Sequence, residues 1–166
     1  MPIVIKGIQT GEDAILAVRH NVQGIIISNH GGRQLDYARS AVEVLVEVMA
    51  ALKAIGAEKE IEVYVDGGIR RGTDIFKCLA LGAKAVGIGR PALYGLASYG
   101  EAGVLRVLDI LKDELEMSMR LMGTPTVDSI KPEMVATRNI ADHTALVPSD
   151  SLFNTVYQNM TPYSRL

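Results

Sequence analysis

Gly24-Ile25-Ile26-Ile27-Ser28-Asn29-His30-Gly31-Gly32-Arg33-Gln34 is the stretch on which the reading of this chain turns. It opens with an apolar run, and such a run bounded by turn residues reads as a strand buried on both faces, the habit of parallel sheets. The run then gives way to a hydroxyl, an amide, an imidazole, two glycines and a guanidinium. Packing alone does not call for that set. An imidazole exchanges a proton near neutral pH. A guanidinium holds a carboxylate at two points. Glycines let the backbone turn sharply or approach a ligand with no Cβ in the way. His30 and Arg33, three residues apart at the end of one strand, therefore point to chemistry on a small acid.

Outward from this stretch, short β-rich runs alternate with helical periodicity. Strands are expected at 3–6, 24–28, 62–66 and 85–89. Helices are expected at 11–20, 41–55, 74–81 and 103–122, with Ser40 and Thr73 as caps of the second and third and a left-handed stop at Gly123. Strand followed by helix, four times, makes a parallel α/β arrangement. Two architectures compete, a small doubly wound sheet and four consecutive units of a (β/α)8 barrel, which normally needs about 250 residues. Ligand-type residues stand at the carboxyl end of every strand: Lys6; Ser28 and His30; Asp66-Gly67-Gly68; Gly89-Arg90. In a barrel these ends meet on one rim, whereas an open sheet uses one switch point, so the regular distribution favours the barrel. The chain divides into a half-barrel at 1–123 and a tail at 124–166. The tail, rich in Pro, Thr, Ser and Asn, is expected to be extended and to pack on the barrel or on a partner.

Two further segments carry an anion signal. Asp66-Gly67-Gly68-Ile69-Arg70-Arg71-Gly72 follows the third strand and opens a helix, and Gly87-Ile88-Gly89-Arg90-Pro91 follows the fourth. Glycine-rich loops at strand ends leave backbone N–H groups free to face a phosphate. Arg70 and Arg90 would add charge. Each loop alone could be a tight turn beside a surface arginine; on successive strands they read together as a phosphate site.

Composition sets the bounds. At 166 residues and 48% hydrophobic the chain can bury one ordinary core. A net charge of −2 and few aromatic residues exclude a nucleic-acid platform. No apolar run approaches the roughly 20 residues of a bilayer span, and the opening residues have no signal or transit character. The single Cys78 precludes an internal disulfide and reads as a buried core thiol. No metal is expected, and His20 and His143 are expected to be structural or exposed.

These motifs resemble the active-site and cofactor segments of the FMN-dependent α-hydroxy-acid oxidases and dehydrogenases. The resemblance runs from Pro2 to about Tyr157 and includes Ile5-Lys6-Gly7 and Glu114-Leu115-Glu116-Met117. Among members the chain looks closest to the fungal flavocytochrome L-lactate dehydrogenases. It implies the second half of a TIM (β/α)8 barrel that binds FMN and oxidises a small 2-hydroxy acid. Lys6 and Ser28 would contact the flavin, His30 would take the substrate proton, and Arg33 would bind its carboxylate. Asp66, Gly67, Gly68, Ile69 and Arg70, with Gly89 and Arg90, would hold the ribityl phosphate. The family's two active-site tyrosines and the aspartate that orients the histidine belong to its first half, which has no counterpart here. A half-barrel leaves two open edges, so a homo-oligomer or a complementing N-terminal half is expected. The alternative is a fragment that captures FMN or phosphate, or only assembles, without turnover. The compartment would be the cytoplasm, or the mitochondrion for part of a longer flavocytochrome.

Overall fold

The computed structural model describes residues 1–140 and 142. Four parallel strands, β1 (Val4–Ile8), β2 (Gly24–Ile27), β3 (Glu62–Asp66) and β4 (Ala85–Gly87), alternate with helices α1 (Gly11–Arg19), α2 (Ala41–Ala54), α3 (Gly72–Ala80) and α4 (Arg90–Leu121). The strands lie in the sheet in chain order, β1-β2-β3-β4. That order has no switch point, which separates the two architectures. A doubly wound sheet must reverse its strand order, whereas a barrel adds each strand beside the last.

The core forms where strands meet the helices of α1 to α3. Ile25, Ile27, Val63 and Val65 on the sheet pack with Val44, Leu45, Val48 and Leu52 of α2, all almost fully buried. Burying a side chain of this kind is worth about 1.5–3 kcal/mol, so this cluster dominates the stability of the segment. The opposite, concave face is open. Gly24 lies under the Tyr64 ring and beside Val4, with no room for a side chain between them. Ile3, Val4 and Ile5 at the β1 edge, and Leu93, Leu96, Leu105 and Leu108 on α4, are exposed.

Helix starts follow local chemistry. Thr10 Oγ1 accepts from the Asp13 amide at the start of α1. Before α2, the Glu43 carboxylate accepts from the Ser40 amide at 3.0 Å and from its hydroxyl at 2.8 Å, so Ser40 caps as expected. Thr73 does not cap α3. The helix begins at Gly72 because the Asp74 carboxylate reaches back to the amides of Arg70 and Arg71, both at 3.0 Å. The fourth helix starts well before its expected residue 103, directly at Arg90, and bends at Tyr99 and Gly100. Its two limbs cross where Gly95 and Gly103 meet backbone to backbone.

Of the tail, Ile130 is buried against Phe76 and Ala80 of α3, with Leu115, Met119 and Met134 around it. Short turns form at Val127–Ser129 and Pro132–Met134, and the part of the tail beyond residue 142, including His143 and the motif at 147–157, lies outside the described residues. Among the described residues no helix is long and apolar enough to cross a membrane.

Candidate active site

Sequential strand order brings the carboxyl ends of β1, β2 and β3 side by side. Lys6 pairs with Ile26, and Ile26 with Tyr64, so Lys6, Ser28 and Asp66 come to one edge of the sheet. A bulge at Gly7, which has φ of +103°, shifts the β1–β2 register between Lys6 and Ile8, which then pairs with Ile27. The Lys6 ammonium donates to Ser28 Oγ at 2.9 Å, lies 3.6 Å from Asp66 Oδ2, and stands 3.5 Å from His30 Nδ1. Ser28 is almost fully buried, and its hydroxyl also accepts from the His30 amide at 3.1 Å. One cation, one anion, one imidazole and one buried hydroxyl thus share a few ångströms.

The turn that carries the imidazole is left-handed for three residues running: His30, Gly31 and Gly32 have φ of 56°, 67° and 70°. A side chain in that region ordinarily costs about 1–2 kcal/mol, so neighbours must hold it. The Asn29 side-chain oxygen accepts from the Gly32 amide at 3.1 Å, and Arg90 donates to the Gly31 carbonyl at 2.7 Å. A Cβ on Gly31 would sit 3.1 Å from that same Arg90 nitrogen. A Cβ on Gly67 would sit 3.2 Å from the Asn29 oxygen. The His30 turn, the 66–72 loop and the start of α4 therefore touch one another.

Several groups at this edge are unsatisfied. Asp66 Oδ1 is buried without a hydrogen-bond partner. Among the described residues the guanidinium groups of Arg33 and Arg70 have no hydrogen bond or ion pair, and Arg33 is exposed at the end of the His30 turn. Nothing lies within 4 Å of a Cβ position at Gly68 or Gly89, so both backbones can be approached closely. Ile69, by contrast, is buried in the core cluster and offers only its backbone. Arg71, which sequence reading left beside the phosphate loop, turns away. It forks onto Glu114 of α4, with Nε 2.9 and 3.0 Å from the two carboxylate oxygens, and holds the Glu114 carboxyl below the usual range. A depression lined by Glu116, Met119, Arg120, Gly123, Thr124 and Pro125 involves none of the strand-end groups.

Sequence reading placed no weight on Asn29, Arg39 or Glu47. Asn29 Nδ2 donates to the Arg39 carbonyl at 3.2 Å, and Arg39 Nη1 donates to Glu47 Oε2 at 2.5 Å. Their partners are largely backbone groups or distant in sequence, and no spacing signals them.

The chain is similar to several known proteins. The profile of the FMN-dependent dehydrogenase family matches residues 1–137. L-lactate dehydrogenase (cytochrome) from Wickerhamomyces anomalus is 53% identical over 161 residues, 97% of this chain and 28% of the relative. Bos taurus 2-hydroxyacid oxidase 2 is 56% identical over 135 residues, 81% of this chain and 37% of the relative. The solved flavin-binding domain of baker's yeast flavocytochrome b2 superposes with a TM-score of 0.83 at 48% identity, covering 100% of this chain and 42% of that one. The chain thus spans well under half of the proteins it matches.

Proposed function

The chain belongs to the FMN-dependent dehydrogenase family, and from that premise we propose that it is the carboxyl-terminal part of an FMN-binding catalytic barrel. That barrel oxidises a small L-2-hydroxy acid, lactate foremost, to the 2-oxo acid. The observation that carries the reading is the meeting of Lys6, Ser28, His30 and Asp66 beside two glycine loops.

The residues fit the cofactor. Asp66 Oδ1 is a buried acceptor with no donor, which suits a ribityl hydroxyl better than a phosphate, since an anion repels an anion. The phosphate falls instead to the open backbone at Gly67, Gly68 and Gly89 and to the cations Arg70 and Arg90. Ile69 contributes its amide. Lys6 would stabilise negative charge on the flavin ring, its ammonium held by the bond to Ser28 Oγ. Bound FMN supplies the two-electron acceptor.

Substrate handling falls to His30 and Arg33. Nε2 of His30 is the nitrogen left for the substrate. To accept a proton there the neutral ring must carry its hydrogen on Nδ1, and the acceptor for that hydrogen would come from the N-terminal half-barrel, since the Lys6 ammonium 3.5 Å away can only donate. The hydroxy acid gives up two electrons and two protons in becoming the oxo acid, and His30 Nε2 accepts one of those protons. The free Arg33 guanidinium grips the carboxylate and aligns the reacting carbon.

His30→Gln tests this. Turnover should fall by a factor of about 10²–10⁴ while FMN retention, read by absorbance, stays near the parent level. Near-parent turnover would refute the proton-acceptor role. A second reading, FMN capture without turnover, is supported by the short span of the chain relative to the proteins it matches. Retained flavin that does not bleach with L-lactate would select it. On either reading the open β1 edge and the apolar face of α4 are covered by an N-terminal half-barrel or a second copy. Light scattering should find the isolated chain larger than a monomer; a clean dilute monomer would count against this.

A further inference from the structure

The loop between β2 and α2 has little packing of its own. Residues 32–37 are all exposed, and Leu35 and Tyr37 point into solvent. The loop nevertheless holds His30 in a left-handed conformation, so its shape comes from the bonds of Ser28 and Arg90 to the turn and from the loop's two ends. One end is Asn29, whose side-chain amide spans the turn. Its oxygen accepts from the Gly32 amide at 3.1 Å, a donor shared with the Asn29 carbonyl at 3.0 Å, and its nitrogen donates to the Arg39 carbonyl at 3.2 Å. The other end is Arg39 itself. Its half-buried guanidinium donates through Nη1 to Glu47 Oε2 at 2.5 Å and through Nη2 to the Gln9 carbonyl. Glu47 Oε1 in turn accepts from the Gly11 amide at 2.8 Å. One side chain therefore ties the returning loop to α2 and to the β1–α1 junction at once.

We infer that Arg39, clamped by Glu47 and the Gln9 carbonyl, is a positioning residue that sets the His30–Arg33 turn through Asn29. Its carbonyl is the fixed point against which the Asn29 amide is oriented, and the Asn29 oxygen then fixes Gly32. The inference rests on the reading of His30 and Arg33 as the proton-accepting and carboxylate-binding groups. Arg39 itself makes no hydrogen bond to either residue or to the glycine loops that would hold the phosphate.

The test compares Arg39→Met and Arg39→Lys with the parent chain. It reads amide exchange at Gly32 and Val65 by nuclear magnetic resonance, the ring-proton shifts of His30 and His20, and FMN affinity by fluorescence quenching. In Arg39→Met, Gly32 exchange should accelerate by about tenfold or more, as expected when a local tether rather than the global fold is lost. Val65, in the core strand, should stay within about twofold. The His30 ring shifts should move while those of His20 hold still, and FMN affinity should change by less than about threefold. Arg39→Lys keeps the charge opposite Glu47 but cannot fork to Gln9 as well, so it should recover only part of the effect. Unchanged Gly32 exchange and His30 shifts would overturn the inference. So would equal acceleration at Gly32 and Val65, which would make Arg39 a general stabilising contact. Failure of the parent to bind FMN would instead sink the cofactor reading, and the exchange data would still decide the role of Arg39.

Discussion

Gly72→Ala should be among the most damaging single-carbon changes in this chain. Gly72 opens α3 against the middle of α4. An added Cβ would stand 2.2 Å from the Leu115 amide nitrogen, 2.4 Å from the Glu114 carbonyl carbon and 2.5 Å from the Glu114 Cβ. Ordinary contacts lie at about 3.5–4.0 Å, so the helices must part by more than an ångström. Two of the three obstacles are backbone, and no rotamer relieves them. The same point carries the Arg71–Glu114 fork and the bond from the Gly72 amide to Glu114 Oε2 at 2.8 Å, which separation would stretch. Overpacking costs about 1–3 kcal/mol, and the exposed ion pair adds little. The expected loss is therefore about 1–3 kcal/mol, a large share of the 5–15 kcal/mol typical of a domain. Urea unfolding followed by circular dichroism measures it, with the exposed neighbour Thr73→Ala as a control expected within about 0.5 kcal/mol. The 66–72 loop runs straight into α3, so FMN retention should fall as well. A Gly72→Ala chain as stable as the control would refute the close α3–α4 approach.

Two further expectations concern titrating groups. Cys78 is buried, and burial pushes its thiol from 9.0 up to about 11; a thiol-specific chromogenic reagent at pH 8 should leave it untouched in the native chain and label it fully in urea, and labelling at equal rates in both would contradict that burial. Because its folded value is raised, its stabilising contribution is whole below the unfolded thiol value and fades as pH climbs from there toward about 11. Burial alone would raise the Glu47 carboxyl, but the Arg39 guanidinium and the Gly11 amide outweigh it and hold the group below its usual value. The depressed folded value means that its contribution is present above the unfolded carboxyl value, about 4.3, and disappears as pH falls through the folded one. The urea midpoint should drop on acidification in the parent and drop less in Glu47→Gln; parallel declines would show that Glu47 carries no such linkage.

Much of the framework could be read from residue patterns because it depends on local signals. The apolar run at 24–27 and the β-favouring Val63-Tyr64-Val65 form strands, and the ligand-type residues at their ends announced a common rim. The strand order could not be read, since pairing partners leave no periodic trace; the ladder from Tyr64 to Ala85, which seats β4 beside β3 rather than beside β1, separates a barrel segment from a doubly wound sheet. The start of α4 escaped for a related reason. Gly95, Gly100 and Gly103 look like helix breakers, yet two of them make the close backbone contact that joins the limbs. The start of α3 depended on Asp74 reaching back along the chain, a choice that Thr73 could equally have claimed. At the site, Lys6, Ser28, His30 and Asp66 were legible as strand tips, whereas Asn29, Arg39 and Glu47 work through backbone groups and one bond across eight residues.

The chain-order sheet also bears on how the segment forms. Val4 pairs with Gly24 and Tyr64 with Ala85, so the outer two ladders each close a loop of about 20 residues. Gly24 pairs with Glu62 across nearly twice that distance. Doubling a loop adds about 0.6 kcal/mol of closure entropy, and the extra length is the solvent-facing stretch after His30 together with α2. The central ladder is thus the slowest joint to zip. A kinetic experiment should see two early βαβ units that dock late, with Asp66 and the glycine loop after it delivered to the Lys6–His30 cluster only in that last step.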